Sequence, residues 1–264
     1  MYSIITINFN NESGLRRTIE SVVRQTYEDF EYIIIDGGST DGSLEVIKEY
    51  ANRLDYWVSE RDRGIYHAMN KGVAQAHGDY CLFMNSGDLF YDDMVLSSIA
   101  NYNCYEDIVV GYAAIKKGNG IISPPPVGEL TFYHLYSGSI PHQASFIKTE
   151  LLRKYPYDEK LRISSDWKFF VQTLILDNCS IRYLDVFVVR YDMDGISSAN
   201  PQLMRQEKET VMSAMFPLRV LADYRHMKES ECLIQNIAPQ LRQHYKIDRL
   251  LYRLGKLILY FVKK

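Results

Sequence analysis

Four aspartates stand where side chains of their kind can do chemistry. Asp36, Asp62 and Asp88 each follow a short apolar run and sit in a small polar turn, and Asp166 opens a later apolar helical pattern. The sharpest turn is Asn85-Ser86-Gly87-Asp88, which ends the run Tyr80-Cys81-Leu82-Phe83-Met84. A buried strand that stops at an acidic turn presents an oxygen ligand at the carboxyl edge of a sheet, where α/β proteins bind their ligands. A hard divalent cation carrying phosphate oxygens takes such a ligand. Turns also favour aspartate for local reasons, because its side chain bonds nearby backbone. Each turn alone therefore reads equally as an ordinary connection, and the order of the elements has to decide.

That order is regular. Ser3 to Phe9 reads as a buried strand, and Leu15, Ile19, Val22 and Val23 follow at helical spacing. Tyr32 to Ile35 is a second strand, ending in Asp36-Gly37-Gly38-Ser39-Thr40-Asp41-Gly42, with Asp41 placed to cap a helix over Ser43 to Asn52. Tyr56 to Val58 is a third, running into Ser59-Glu60-Arg61-Asp62-Arg63-Gly64 and a helix from Ile65 to His77. Then come the strand before Asp88, a helix through Ala100 capped by Asp92 or Asp93, and a strand from Asp107 to Ala114. Strand and helix in alternation, with polar turns at strand ends, predict an α/β fold with a mostly parallel sheet and helices on both faces. In such a sheet the strand ends share one edge, so Asp36, Asp62 and Asp88 converge. No Gly-x-Gly-x-x-Gly follows the first strand and no Gly-x-x-x-x-Gly-Lys-Ser/Thr occurs, so the dinucleotide and P-loop readings lack their main support.

Composition bounds the rest. The chain has 264 residues, 47% hydrophobic and 24% charged, which suits a sizeable core. A net charge of −3 argues against a general polyanion binder. The 21 tyrosines suit stacking on bases or sugars and half-buried packing alike. Cys81, Cys104, Cys179 and Cys232 lack metal-ligand spacing and read as reduced thiols of a cytoplasmic protein. The first residues predict no secretory leader, and no uninterrupted apolar run reaches the roughly 18 residues a membrane helix needs.

Beyond residue 115 the pattern changes. Pro124-Pro125-Pro126 is a stiff connection, Glu129 to Tyr136 reads as a short helix, and Ile140-Pro141-His142-Gln143 as a loop. Ala144 to Ile147 is strand-like, Tyr157 to Ser165 irregular, and Ile181 to Tyr191 a strand ending in the turn Asp192 to Ser198. Asp166 begins a helix with Trp167, Phe169, Phe170, Val171 and Leu174, where a carboxylate can also be no more than a cap. From Pro201 the chain reads as helical. Its last stretch, Gln240 to Lys264, carries seven Lys or Arg and one acid beside a stripe of Leu250, Leu251, Leu254, Ile258 and Phe261. That pattern suits an anionic membrane surface, or a C-terminal helix packed on the domain with its charges in water.

Taken in order, these stretches closely resemble family-2 glycosyltransferases of the GT-A fold, in the bacterial polysaccharide-assembly branch. The resemblance rests on Ser3 to Asn10, Ser21 to Tyr27, Ile35 to Gly42, Ser59 to Tyr66, Ala68 to Gly72 and Asn85 to Asp88, over residues 1–115. It thins to Pro141-His142-Gln143, Ser165-Asp166-Trp167 and Gly195-Ile196-Ser197, and nothing past residue 200 matches. It implies a glycosyltransferase domain over 1–200, with a nucleotide-sugar half (1–115) and an acceptor and catalytic half (116–200), and a helical extension over 201–264. It further implies that Asp36 bonds the donor's base, that Thr6 and Asn8 line the nucleotide pocket, and that Asp62 lies near ribose and diphosphate. Asn70, in a matching stretch, joins the donor side. Asp88 is the last carboxylate of an Asp-x-Asp-type metal motif for Mg²⁺ or Mn²⁺, Asp166 is the catalytic base, and His142 is an acceptor-side candidate. Two departures stand out: the metal motif keeps one carboxylate, and His67 occupies a position where relatives commonly carry Asp.

The function expected is inverting, metal-assisted transfer of a sugar from a nucleotide-sugar donor to a saccharide hydroxyl. The acceptor is expected to be lipid-linked and the enzyme peripheral on the inner face of the cell membrane, with no nucleic-acid partner. Two other readings compete. A non-catalytic nucleotide-sugar-binding module would explain the thinned metal motif. A sugar-phosphate nucleotidyltransferase would need a Gly-rich, Arg-bearing loop after the first strand, and Asn8-Phe9-Asn10-Asn11 is not one.

Overall fold

A computed structural model describes residues 1–116, 121–123, 129–192, 200–242, 252 and 254–256. The triple proline at 124–126, the turn at 193–198 and most of the basic tail over 240–264 lie outside the described residues. The chain divides into two units, Met1–Val211 and Met212–Lys264.

The first unit is built on one sheet. Strands β1 (Tyr2–Asn8), β2 (Phe30–Asp36), β3 (Tyr56–Ser59) and β4 (Tyr80–Phe83) come first, then β5 (Leu89–Phe90), β6 (Ile108–Lys116), β7 (Ile121–Ser123), β8 (Ser145–Lys148) and β9 (Ile181–Asp192). Their order is β3-β2-β1-β4-β8-β6-β9-β5, with β7 on β6. The pairs β2–β3, β1–β2 and β1–β4 are parallel. β8 joins β4 and β6 antiparallel, β5 joins β9 antiparallel, and β6 pairs β9 in parallel. Parallel pairing thus dominates the first four strands, and the rest of the sheet is mixed. β1 and β2 are buried along six of their seven residues, as strands covered on both faces must be, and so read as continuous apolar runs.

The helices that cover them are α1 (Glu12–Val23), α2 (Ser43–Glu49), α3 (Ile65–Gln75), α4 (Val95–Ala100), α5 (Phe132–Ser137), α6 (Thr149–Lys154) and α7 (Ser165–Phe170), the last continuing as a π turn over Val171–Leu176. α8 (Pro201–Met215) contains the boundary after Val211, and α9 (Leu218–Arg242) belongs to the second unit. α1 buries Leu15, Ile19 and Val22 at helical spacing. The cap position of α2 is Gly42 and not Asp41 as expected, and α1 is capped by Asn11, whose side chain accepts from Gly14 N at 3.1 Å. Asp41 accepts from Ser43 N at 3.0 Å and from Glu12 N at 2.9 Å, so one carboxylate ties the first turns of α2 and α1 together. Gly72 lets α3 lie on β1, because a Cβ there would stand 2.5 Å from Ile5 Cγ2. Among the described residues no helix is long and apolar enough to cross a membrane.

At the amino edge of the sheet the buried Glu31 on β2 staples the start of β1 to the entry of β4. It accepts from Ser3 Oγ at 2.5 Å, Gly78 N at 3.0 Å, His77 Nδ1 at 3.0 Å and the His77 backbone amide. Burial pushes its carboxyl up, but these donors outweigh that and hold it below the usual range. A folded value below the unfolded one means the stabilisation is present above the unfolded value and is lost as pH falls through the folded one. Glu31→Gln should cost about 1–3 kcal/mol at neutral pH. Denaturant midpoints near pH 7 and near pH 4 check the origin: the gap between wild type and variant should narrow in acid. A gap of equal size at both values would assign the loss to packing instead.

Candidate active site

The carboxyl edge of β1, β2 and β3 carries one lateral row of polar side chains. Asn8 pairs in register with Asp36, and Asp36 with Ser59. Residues in register on adjacent parallel strands face the same way, so the three side chains meet. Asp36 is 0% exposed. Its Oδ1 accepts from Asn8 Nδ2 at 2.7 Å and Ser39 Oγ at 2.5 Å. Its Oδ2 accepts from Ser59 Oγ at 2.6 Å, Ser39 N at 2.9 Å and Gly38 N at 3.2 Å. Burial raises this carboxyl and the hydrogen bonds lower it further, leaving it below the ordinary aspartate range. Gly38 reaches it through a positive φ of 78°. Thr6, two residues before Asn8, is buried, and its hydroxyl shares a 3.0 Å hydrogen bond with Tyr32 Oη. It supports the row from the interior.

Asp62 follows β3. Its Oδ1 accepts from His67 Nδ1 at 2.8 Å and Lys71 Nζ at 2.9 Å, and Lys71 also pairs with Glu60 Oε1 at 2.8 Å. His67, the departure from relatives, is thus a direct partner of Asp62. Asn70 holds the irregular segment before α7. Its Nδ2 donates to the Tyr157 carbonyl and its Oδ1 accepts from Tyr157 N, both at 2.9 Å, and Nδ2 also lies 3.3 Å from Glu159, which Arg63 of the Asp62 loop pairs with at 2.6 Å.

The turn after β4 is tied to β1 and α1. Ser86 N donates to Ile7 O at 3.0 Å, Asn11 Nδ2 to Ser86 O at 3.0 Å, and Thr18 Oγ1 to Asp88 O at 2.8 Å. Gly87 takes a φ of 107°, a conformation that favours glycine. Asp88 is nearly buried, and in the same turn the Asn85 amide oxygen is buried with no hydrogen-bond partner. A carboxylate and an orphaned amide oxygen are both hard donors of the kind Mg²⁺ or Mn²⁺ accepts, so these residues fit a cation. Among the described residues no three His, Cys, Asp or Glu gather to hold one alone. A cation here would take its remaining oxygens from a ligand and water.

Asp166, in the first turn of α7, meets the first turn of α3. Tyr66 Oη, 100 residues away in the chain, donates to Asp166 Oδ1 at 2.8 Å. Burial, then the charge of Asp166, push the Tyr66 hydroxyl far up, so it stays a donor. Behind Tyr66 lies an aromatic stack. Its ring is 5.6 Å from Tyr157, Tyr157 is 5.7 Å from Phe83, and His142 stacks on Phe83 at 5.0 Å. His142 is buried, shares a 3.0 Å bond between Nε2 and Tyr157 Oη, and is pushed down by burial, with the charge of Asp166 partly opposing. In this structure it is a buried histidine bracing Tyr157. α7 is anchored by Trp167 Nε1 on Leu135 O at 2.8 Å and by Lys168 on Asp158 at 2.7 Å.

Ser39, Ser59, Tyr66 and Tyr157 escape a reading of the sequence by pattern. Ser59 matters only through register with Asp36, and Tyr66 only through a contact that no local spacing announces. Phe9, read from the sequence as the end of the buried first strand, instead lies just past β1 and is 66% exposed beside Gly37.

A family model described as Glycosyl transferase family 2 matches residues 3–159. A PGL/p-HBAD biosynthesis glycosyltransferase of Mycobacterium bovis is 30% identical over 207 residues, covering 74% of this chain and 78% of that protein. Among solved structures, S. aureus TarS 1–349 in complex with UDP-GlcNAc superposes with a TM-score of 0.66 at 20% identity, over 80% of this chain and 65% of that one. Full TarS is matched over 40% of its length. The mannosyltransferase PcManGT of Pyrobaculum calidifontis, in complex with GDP-Man and Mn²⁺, superposes with a TM-score of 0.58 at 17% identity, over 77% of this chain and 60% of that one. These superpositions establish the GT-A type of fold. Since the family model spans more than half of the chain and covers the whole carboxyl edge from Asn8 to Asp88, the chain belongs to glycosyl transferase family 2.

Proposed function

We propose that this chain transfers a sugar from a nucleotide-sugar donor to a hydroxyl of a saccharide acceptor, with inversion at the anomeric carbon. The observation that carries the reading is the seat of Asp166. Its Oδ1 is held by the Tyr66 hydroxyl, and the half-buried carboxylate is not used up as a helix cap. A carboxylate fixed through one oxygen keeps the other for the proton of an attacking hydroxyl, the general-base role that direct displacement requires. The donor side is supported by buried polar atoms without partners at the carboxyl edge: Asn8 Oδ1, Asp62 Oδ2 and Asn85 Oδ1. Buried polar groups are normally satisfied, so such atoms suit a ligand. The nucleotide sugars bound to TarS and PcManGT support the same reading.

Asp88, with Asn85 beside it in the turn, would hold Mg²⁺ or Mn²⁺. When bound, the cation would supply positive charge to the departing diphosphate. The chain's own residues do the remaining work. The Asp36 row shapes the nucleotide end, Asp62 lies on the donor side, and Asp166 takes the acceptor proton. A lipid-linked saccharide acceptor at the inner face of the membrane completes the proposal. It rests on the basic, amphipathic pattern of the tail alone.

Asp166→Asn keeps the bond from Tyr66 but loses the base. Transfer should fall on the order of 10²–10⁴-fold, while nucleotide binding measured by calorimetry stays within about twofold. Near-normal turnover would remove Asp166 from the chemistry. Asp88→Ala should abolish the part of donor binding that EDTA removes from the wild type. Donor binding indifferent to EDTA would leave the cation without a role.

A further inference from the structure

Within the donor site proposed above, the atom free to recognise the base does not belong to Asp36. Its two oxygens already accept five hydrogen bonds and the residue is 0% exposed. A carboxylate offers about four lone-pair sites, so nothing is left for a ligand. Asp62 is arranged differently. Both its side-chain partners, His67 and Lys71, lie on Oδ1. Its side chain is 8% exposed, and Oδ2 is buried with no partner at all.

Gly37 shows where that oxygen looks. A Cβ built on Gly37 would meet Phe9 Cδ2 at 3.1 Å and Asp62 Oδ2 at 3.5 Å. The missing side chain thus leaves a space bounded by the edge of an aromatic ring and by one orphaned carboxylate oxygen. An exposed aromatic ring and a single acceptor beside it are the elements of nucleobase recognition. Oδ2 has no solvent contact here, so a base would need this edge to open, and the Phe9 ring that borders it is 66% exposed.

We infer that Asp62 Oδ2, facing the gap at Gly37 beside Phe9, accepts the ring N–H of an imide base, which makes the donor a uridine or thymidine diphosphate sugar. Uracil and thymine present one N–H between two carbonyls, matched to one free oxygen. Guanine presents a ring N–H and an amino group side by side, which call for both carboxylate oxygens, and Oδ1 is occupied by His67 and Lys71. Cytosine and adenine set a ring-nitrogen lone pair beside their amino group, and it would face the carboxylate. The role of His67 follows: with Lys71, it directs Asp62 to offer one oxygen and not two.

The test uses the full chain with Mg²⁺ and free UDP, TDP, CDP and GDP as probes, with Kd measured by calorimetry. The wild type should bind UDP and TDP at least about tenfold more tightly than CDP or GDP. In Asp62→Asn the oxygen must stay toward His67 and Lys71, so the amide N–H₂ takes the place of Oδ2. A donor then stands where an acceptor stood. The UDP-to-CDP affinity ratio should drop about tenfold to a hundredfold, the worth of one charge-assisted hydrogen bond. A ratio within about twofold of wild type, or a wild type that prefers GDP or CDP, overturns the assignment. A wild type that binds none of the four overturns the donor site beneath it. If Asp62→Asn does not fold, Gly37→Ser decides. Its side chain enters the gap and its hydroxyl can donate to Oδ2, so UDP binding should weaken about tenfold or more with unchanged Tm. Unchanged binding in that variant rejects the assignment.

Discussion

The carboxyl edge depends on one buried charge. Asp36 sits at the end of the second strand with no solvent contact, a position that would be costly for a bare carboxylate. It is tolerable because the first strand, the third strand and the glycine-serine turn each send a donor to it. The dependence is mutual. Those donors are themselves at strand ends, where backbone pairing stops and side chains would otherwise splay. The charge gathers them, and the turn they form brings Gly37 and Gly38 against the segment Glu60 to Asp62. Remove the charge and the donors lose their common target, so the pocket's shape and its polarity are one property.

A second constraint joins the two halves of the first unit. Asp166 is supplied by the chain beyond residue 150, but its seat is Tyr66, on the helix that also follows the Asp62 loop. Lys71, on the same helix, reaches back to Asp62 and Glu60. α3 therefore carries contacts for the Asp62 loop and for the proposed base, and any shift of this helix moves both. Ile5 fixes it from below, at the close approach that Gly72 permits.

The parallel half of the sheet was legible because its strands are covered on both faces and so spell out apolar runs, with Asp36, Asp62 and Asp88 following them. Asp41 read as the cap of α2 lies one residue before the actual cap, Gly42, and its bond from Glu12 N, across 29 positions, is one that no local pattern encodes. The short helix read over 129–136 forms over Phe132–Ser137, a boundary shift of the kind local patterns cannot prevent. The strands of the mixed half were read, apart from β5 and β7, but their antiparallel pairing was not legible. β5 is two residues long, too short for any alternation to register, and β8 owes its neighbours to tertiary packing. The site divides along the same line. Residue types at strand ends announced the donor edge. The use of each oxygen, with Asp36 filled and Asp62 half free, follows from register and from a contact pattern that no spacing encodes. Asp166 read equally as a cap until its partner, on another helix, was known.

Asn70 has a consequence for how the chain comes together during synthesis. Its amide takes both the N–H and the C=O of Tyr157, as a facing residue in an antiparallel ladder would. The two positions are 87 residues apart. A nascent chain emerging from its amino end can fold the parallel strands and lay α3 upon them while Asn70 still bonds to water. Only when Tyr157 arrives does that amide find its partner, and only after it does Asp166 follow. In chain order the carboxyl edge of β1 to β4 is thus synthesised before the proposed base, whose seat on α3 precedes it by 100 residues.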